Sequence, residues 1–203
     1  MRRSLRILSS IVLAAWCMTA SAQKNSEFDP ATASIEENIQ HPQIPEKHRT
    51  AVAAQMDVLK NELKDAGYEI SLVRSGEVVM VTIPCSALFS PNETSLSAKA
   101  SAKLSGLKQF INRREDFKIV IAVHSDDTGD AVYADRLTAD RANSIDEYFY
   151  KEDSNRETGI IPYGIGSDEP LVDNHGRANR AKNRRVEFYF IPTQEFIKKA
   201  RKR

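Results

Sequence analysis

The chain has 203 residues, 41% of them hydrophobic, enough for one full-sized domain with extensions and too many for wholesale disorder. Lys and Arg total 29 against 28 Asp and Glu, a formal net charge of +1. That balance gives no global field to hold nucleic acid, and two cysteines cannot build a disulfide framework or a four-thiolate zinc site.

In chain order, the first segment is the one strongly apolar run. Arg2, Arg3 and Arg6 precede Ile7 to Met18, and Ala20-Ser21-Ala22 follow. A basic head, an apolar middle and a small-x-small end predict a secretory signal over residues 1–22, cleaved before Gln23. The alternative is a transmembrane anchor, for which the run is short. Bulky Trp16 stands where a lipidated Cys17 would need a small residue, so export without a lipid is expected. A multi-span membrane protein is excluded, and the rest of the chain lacks the eight or more amphipathic strands of a transmembrane barrel.

Residues 23–46 are polar, with Pro30, Pro42 and Pro45, and read as a mobile linker. Val52, Met56, Leu59 and Leu63 then recur at helical spacing up to Gly67, which predicts an amphipathic helix. Tyr68–Val73 and Glu77–Ile83 read as two strands of a hairpin turning at Ser75-Gly76, with Pro84 ending the second. Cys85, left alone once a signal is removed, reads as a small buried hydrophobe.

A second helix fits Leu96, Ala100, Leu104, Leu107 and Ile111, and Lys118–Val123 is a short apolar run that predicts a buried strand. A third helix is expected from about Asp130 to Tyr150, with Leu137, Ala142, Ile145 and Phe149 on one face. Gly159–Gly166 and Arg184–Ile191 complete the strands, with a helical turn near Ala178–Asn183 between them. Strands alternating with helices predict a layered α+β sheet with helices packed on it. Residues 77–192 are expected to close one core by themselves. The last residues, 193–203, read as a basic, solvated tail.

The most polar cluster is His124-Ser125-Asp126-Asp127-Thr128-Gly129-Asp130, where a buried strand leads into a helix, a usual place for ligands in sheet proteins. Four readings fit it. A metal site could use His124, Asp126 and Asp130, and a Ser–His–Asp arrangement the same letters, although neighbours along a strand point to opposite faces. A turn in which Asp or Thr caps the helix is the third, and a binding site for a charged small group the fourth.

Arg141 lies one helical turn from Leu137, near the inward stripe. Two readings fit: an intrahelical pair with Asp135, Asp140 or Glu147, or a guanidinium held ready to clamp a carboxylate. It also lies about 16 Å along the helix from Asp130, so the 126–129 loop must fold back for Asp126 and Arg141 to meet. Asn183-Arg184-Arg185-Val186-Glu187 forms a third polar cluster at the start of the last strand.

Together these clusters resemble the OmpA-like family, the periplasmic domain shared by outer-membrane protein A, the peptidoglycan-associated lipoprotein and the flagellar stator protein. Val123–Gly129 is similar to the family's Gly-His-x-Asp-x-x-Gly loop. Tyr133–Ala142 resembles its Tyr-Asn-x-x-Leu-Ser-x-x-Arg-Ala helix. Asn179–Glu187 resembles its Gly-Arg-Ala-x-Asn-Arg-Arg-Val-Glu ending, and Phe89–Leu96 its Phe-Asp-x-Gly-Ser-x-x-Leu segment. The likeness covers about residues 77–192. Val123 and Asn179 stand where the family has glycine, Ala134 where it has asparagine and Ser90 where it has an acidic residue.

The resemblance implies a β-α-β-α-β-β domain, preceded here by a helix and the first hairpin strand over residues 47–76. It also implies a periplasmic address, no catalysis and no cofactor. The implied ligand is peptidoglycan, through the diaminopimelate residue of the stem peptide. Asp126 would accept from its ammonium and Arg141 bind its carboxylate, with His124 orienting the loop and Thr128, Asn183 and Arg184 completing the site. The rival is a scaffold of the same fold that docks an envelope protein partner through the helix at residues 50–66.

Overall fold

The computed structural model describes residues 28–151 and 160–200. The expected signal segment and Cys17 lie outside the described residues. Helix α1 (Ile35–Gln40) leads to α2 (Glu46–Asp65), then to the antiparallel hairpin β1 (Glu69–Val73) and β2 (Val78–Pro84), joined by a tight turn over Arg74–Gly76. Three short helices follow, α3 (Cys85–Leu88), α4 (Ala100–Ser105) and α5 (Lys108–Ile111). The single helix expected over Leu96–Ile111 is thus two, meeting at Gly106 and Leu107. Strand β3 (Phe117–His124), helix α6 (Ala131–Lys151), strand β4 (Ile160–Gly166), helix α7 (Gly176–Asn183), strand β5 (Arg185–Pro192) and helix α8 (Gln194–Ala200) complete the order.

Among the described residues the strands form one sheet, ordered β1-β2-β5-β3-β4. Strand β4 runs parallel to β3, while β5 is antiparallel to both β3 and β2. The last strand therefore sits in the middle, which explains why all of it but Tyr189 is buried instead of alternating. One face carries Val79, Val81, Ile83, Ile119, Ile121, Val186, Phe188 and Phe190, and the main helices bury it. The α2 residues Val52, Met56, Leu59 and Leu63 belong to that same core, as do Ala142, Ile145 and Phe149 of α6.

Helix α6 lies close to β4 because Gly164 lets it. A Cβ built on Gly164 would stand 2.3 Å from the Ala139 nitrogen, inside any permitted contact. Thr138 fixes the same contact: its hydroxyl donates to the Ala134 carbonyl and accepts from the Gly166 amide, at 2.9 Å each.

Two sequence expectations are corrected here. Residues 28–46, read as a mobile linker, are packed: α1 lies against the opposite face of the sheet, and Ile44 is buried in the main core. Ile35 and Ile39 pack beside Val78, Val120 and Ile191, and Asn38 is fully buried. The Lys118 ammonium donates to the Asn38 carbonyl, the Asn38 side chain and the His41 carbonyl, at 2.6, 2.9 and 2.8 Å. Arg74 donates to the carbonyls of Ile39 and Pro42. The segment's buried acceptors are served by two cations, Lys118 of β3 and Arg74 of the hairpin turn, a pairing that composition does not reveal. Residues 193–200, read as a solvated tail, include α8, whose Phe196, Ile197 and Ala200 are buried in the main core. No helix among the described residues is long and apolar enough to cross a membrane.

Candidate functional site

Strand β3 ends at a bulge in its pairing with β4, between Val123 and His124. Val123 points into the main core and is fully buried, so this position needs a packed side chain rather than glycine's freedom. His124 faces the other side. Its Nε2 lies 3.1 Å from the Glu187 carboxylate, which also accepts from Tyr189 and Arg185 at 2.6 Å each. Burial opposes ionisation of Glu187, but His124, Tyr189 and Arg185 outweigh it and lower its pKa to about 2.

The chain then turns. The Ser125 amide donates to the Gly166 carbonyl, and the Asp126 carboxylate accepts from the Thr128 amide at 2.8 Å. Gly129 supplies the positive φ of +99° that the turn requires. Asp130 caps α6 by accepting from the Tyr133 amide at 3.2 Å. The capping role thus falls to Asp130 and leaves Asp126 free of it.

Asp126 is 3% exposed and ion-pairs with Arg184, whose own side chain is 44% exposed. Burial works against the charged carboxylate, yet the bonds from Thr128 and Arg184 hold its pKa below the ordinary value.

Arg141, on the inward stripe of α6, is 4% exposed. It makes neither an intrahelical ion pair nor a contact with Asp126. Its Nε donates to the Glu93 carbonyl at 2.8 Å, one terminal nitrogen donates to the Ser90 carbonyl at 3.3 Å, and its guanidinium lies 4.8 Å from the centre of the Phe89 ring. The loop after α3 therefore builds a seat for a cation from backbone oxygens and one aromatic face.

Asp126 and Arg141 both line one open cleft of about 310 Å³. Thr128, Arg184, Phe89 and Tyr133 line it with them. Ala134 lies in the wall where the family pattern has asparagine, and Ser90 lines the mouth. Four of the six expected site residues, Asp126, Thr128, Arg141 and Arg184, are thus brought together.

His124 and Asn183 are not among the lining residues: Asn183 sits outside the cleft it was expected to complete, while His124 was expected only to orient the loop. His124 is on the far face for the reason given by strand alternation: its neighbour Val123 is in the core. Asn183 is fully buried and pins the loop before α7, donating to the Val172 carbonyl and the Asn174 side chain and accepting from the Val172 amide. His124 and Asp126 also diverge, so the metal and triad readings lose their shared centre. No three His, Cys, Asp or Glu side chains among the described residues gather as a metal site.

Sequence reasoning missed Cys85, Ser86 and Ser125 as lining residues. Burial pushes the Cys85 thiol up to about 11, against the pull of Arg141, Arg184 and Arg185, so it contributes no charge. The carbonyls that hold Arg141 carry no residue-type signal: Pro84 marks the end of β2, and the loop that supplies them starts only after α3.

A family model described as the OmpA family matches residues 88–184. The outer-membrane lipoprotein YfiB of Pseudomonas aeruginosa is 30% identical over 137 residues, 66% of this chain and 74% of that protein. The peptidoglycan-associated lipoprotein of Legionella pneumophila is 26% identical over 108 residues, 53% of this chain, and the match spans 60% of that protein's length. Among solved structures, a MotB-like protein from Desulfovibrio vulgaris superposes with a TM-score of 0.63 at 25% identity, over 72% of this chain and 96% of that one.

Proposed function

The chain belongs to the OmpA family, and on that premise we propose that it binds peptidoglycan non-covalently through the diaminopimelate residue of the stem peptide. Binding would hold the chain, or an envelope protein attached to it, at the cell wall. The observation that carries this reading is the pairing of one buried carboxylate and one buried guanidinium in a single open cleft. The free stereocentre of diaminopimelate carries an ammonium and a carboxylate on one carbon. Asp126 accepts from the first and Arg141 clamps the second. The Thr128 amide orients Asp126, and Arg184 pairs with it in the unliganded cleft; His124 and Asn183 act at one remove, by supporting the loops on either side. A periplasmic address follows from the same reading, and a relative named as peptidoglycan-associated supports it. No proton transfer or nucleophile is needed for such binding.

The test is pelleting with purified sacculi, with and without free diaminopimelate. Removing one member of a desolvated charge pair costs about 2–5 kcal/mol, roughly 30-fold to several thousand-fold in affinity. Asp126→Ala and Arg141→Ala should each abolish pelleting, and Arg141→Lys should weaken it, because an ammonium cannot reproduce the fork. His124→Ala should do less. Retention of both alanine variants in the pellet, at wild-type level, refutes the reading. The wall offers many copies of the ligand, so wild-type retention gains from rebinding and free diaminopimelate should compete only at high concentration.

A further inference from the structure

Three of the residues lining the cleft carry charge: Asp126, Arg141 and Arg184. The Cys85 thiol is held neutral, its pKa pushed up to about 11. The cleft therefore holds two guanidinium groups against one carboxylate. A zwitterionic diaminopimelate centre is neutral and leaves that excess unmatched. We propose that Arg184 is a specificity residue, which leaves Asp126 when the ligand ammonium arrives and takes a second carboxylate of the same stem peptide. The inference rests on the stem-peptide reading above.

The two arginines are built differently. Arg141 is fixed by the Glu93 and Ser90 carbonyls and the Phe89 ring, and it is 4% exposed. Arg184 is anchored through its backbone, which donates to the Arg180 carbonyl and accepts from the Cys85 amide at 3.0 Å each. Its side chain is 44% exposed and pairs with Asp126. The Asp126 side chain, at 4% exposure and tied to the Thr128 amide, stays in place. When a ligand ammonium reaches Asp126, it brings a second cation to a carboxylate that already has one. Two cations on one carboxylate repel, and the exposed, unfixed one yields. The displaced guanidinium stays at the mouth of the cleft, where a second ligand carboxylate satisfies its fork.

A stem peptide offers two such groups besides the diaminopimelate carboxylate: the α-carboxylate of its glutamate and the carboxylate of its terminal alanine. Both present the same chemistry, and amidating or cross-linking either removes its charge. The cleft would thus favour stem peptides that keep one of these carboxylates free.

Calorimetric titration of the purified full chain tests this with three synthetic stem peptides, all with an unmodified diaminopimelate centre. One is the free acid, one is amidated at the glutamate, and one at the terminal alanine. A half-exposed, bidentate pair predicts that one amide binds about five- to tenfold more weakly than the free acid, while the other binds equally. Which amide suffers identifies the carboxylate. Arg184→Gln should bring the free acid down to the weaker level and make all three peptides equal. Arg184→Lys should restore part of the difference. Equal binding of all three to the wild type overturns the inference, and so does an Arg184→Gln variant that weakens all three by one common factor, since Arg184 then serves Asp126 alone. If no peptide binds the wild type, the stem-peptide reading itself has failed and this inference with it.

Discussion

Deleting residues 28–76 tests whether the first helix and strand are an appendage or part of the core. The deletion removes α1, α2 and β1. It strips from the main core the side chains of Val52, Met56, Leu59 and Leu63, none more than 1% exposed. Burying a side chain of this size is worth about 1.5–3 kcal/mol, so the four together supply about 6–12 kcal/mol, an upper range because the unfolded chain already hides some apolar surface. Strand β2 also loses its partner from Val78 to Thr82, and α8 loses the helix it packs against. A domain of this size has a net stability of about 5–15 kcal/mol. The loss is therefore comparable to the whole. Residues 77–200 expressed alone should keep part of their far-ultraviolet circular dichroism but lose the cooperative near-ultraviolet thermal transition. The point variant Leu59→Ala in the full chain should cost about 2–5 kcal/mol in urea denaturation. A cooperative melt of the 77–200 segment within a few degrees of the full chain would refute the reasoning and restore the expectation that this region closes its own core.

Other expected outcomes follow from single residues. Because the folded-state pKa of Glu187 is depressed from 4.5 to about 2, its contribution is fully present above pH 4.5 and is lost as pH falls towards 2. Wild type should lose about 3 kcal/mol more over that window than Glu187→Gln, read from urea midpoints at each pH. Gly164→Ala should push α6 off β4, since its Cβ would meet the Ala139 backbone at 2.3–2.6 Å; a melting temperature unchanged from wild type would contradict that close approach. The Cys85 thiol, 3% exposed and pushed up to about 11, should react with a thiol reagent at pH 8 only slowly in the native protein and rapidly in denaturant.

Periodicity alone located most elements, because one buried stripe dictates spacing. The stripe Val52, Met56, Leu59, Leu63 became α2, and Lys118–Val123 lies inside β3. Where apolar residues are few the pattern misled: the polar segment 28–46 is held by Lys118 and Arg74 together with Ile35, Ile39 and Ile44, too sparse a set to show a period. Residue types in the order of the family motifs pointed to Asp126, Thr128, Arg141 and Arg184, and these four line one cleft. His124 and Asn183 occur in the same motifs but serve Glu187 and the loop at Val172.

Local spacing and residue chemistry, written along the chain, specified most of the elements, the family and the charged residues available for binding. Tertiary structure alone decided which of those charges share a cleft. A strand bulge at His124, a turn at Gly129 and carbonyls contributed from residues 90 and 93 set that arrangement. Each of these is a backbone position fixed by packing between segments distant in sequence, and backbone groups are the same in every residue, so no side-chain pattern announces them.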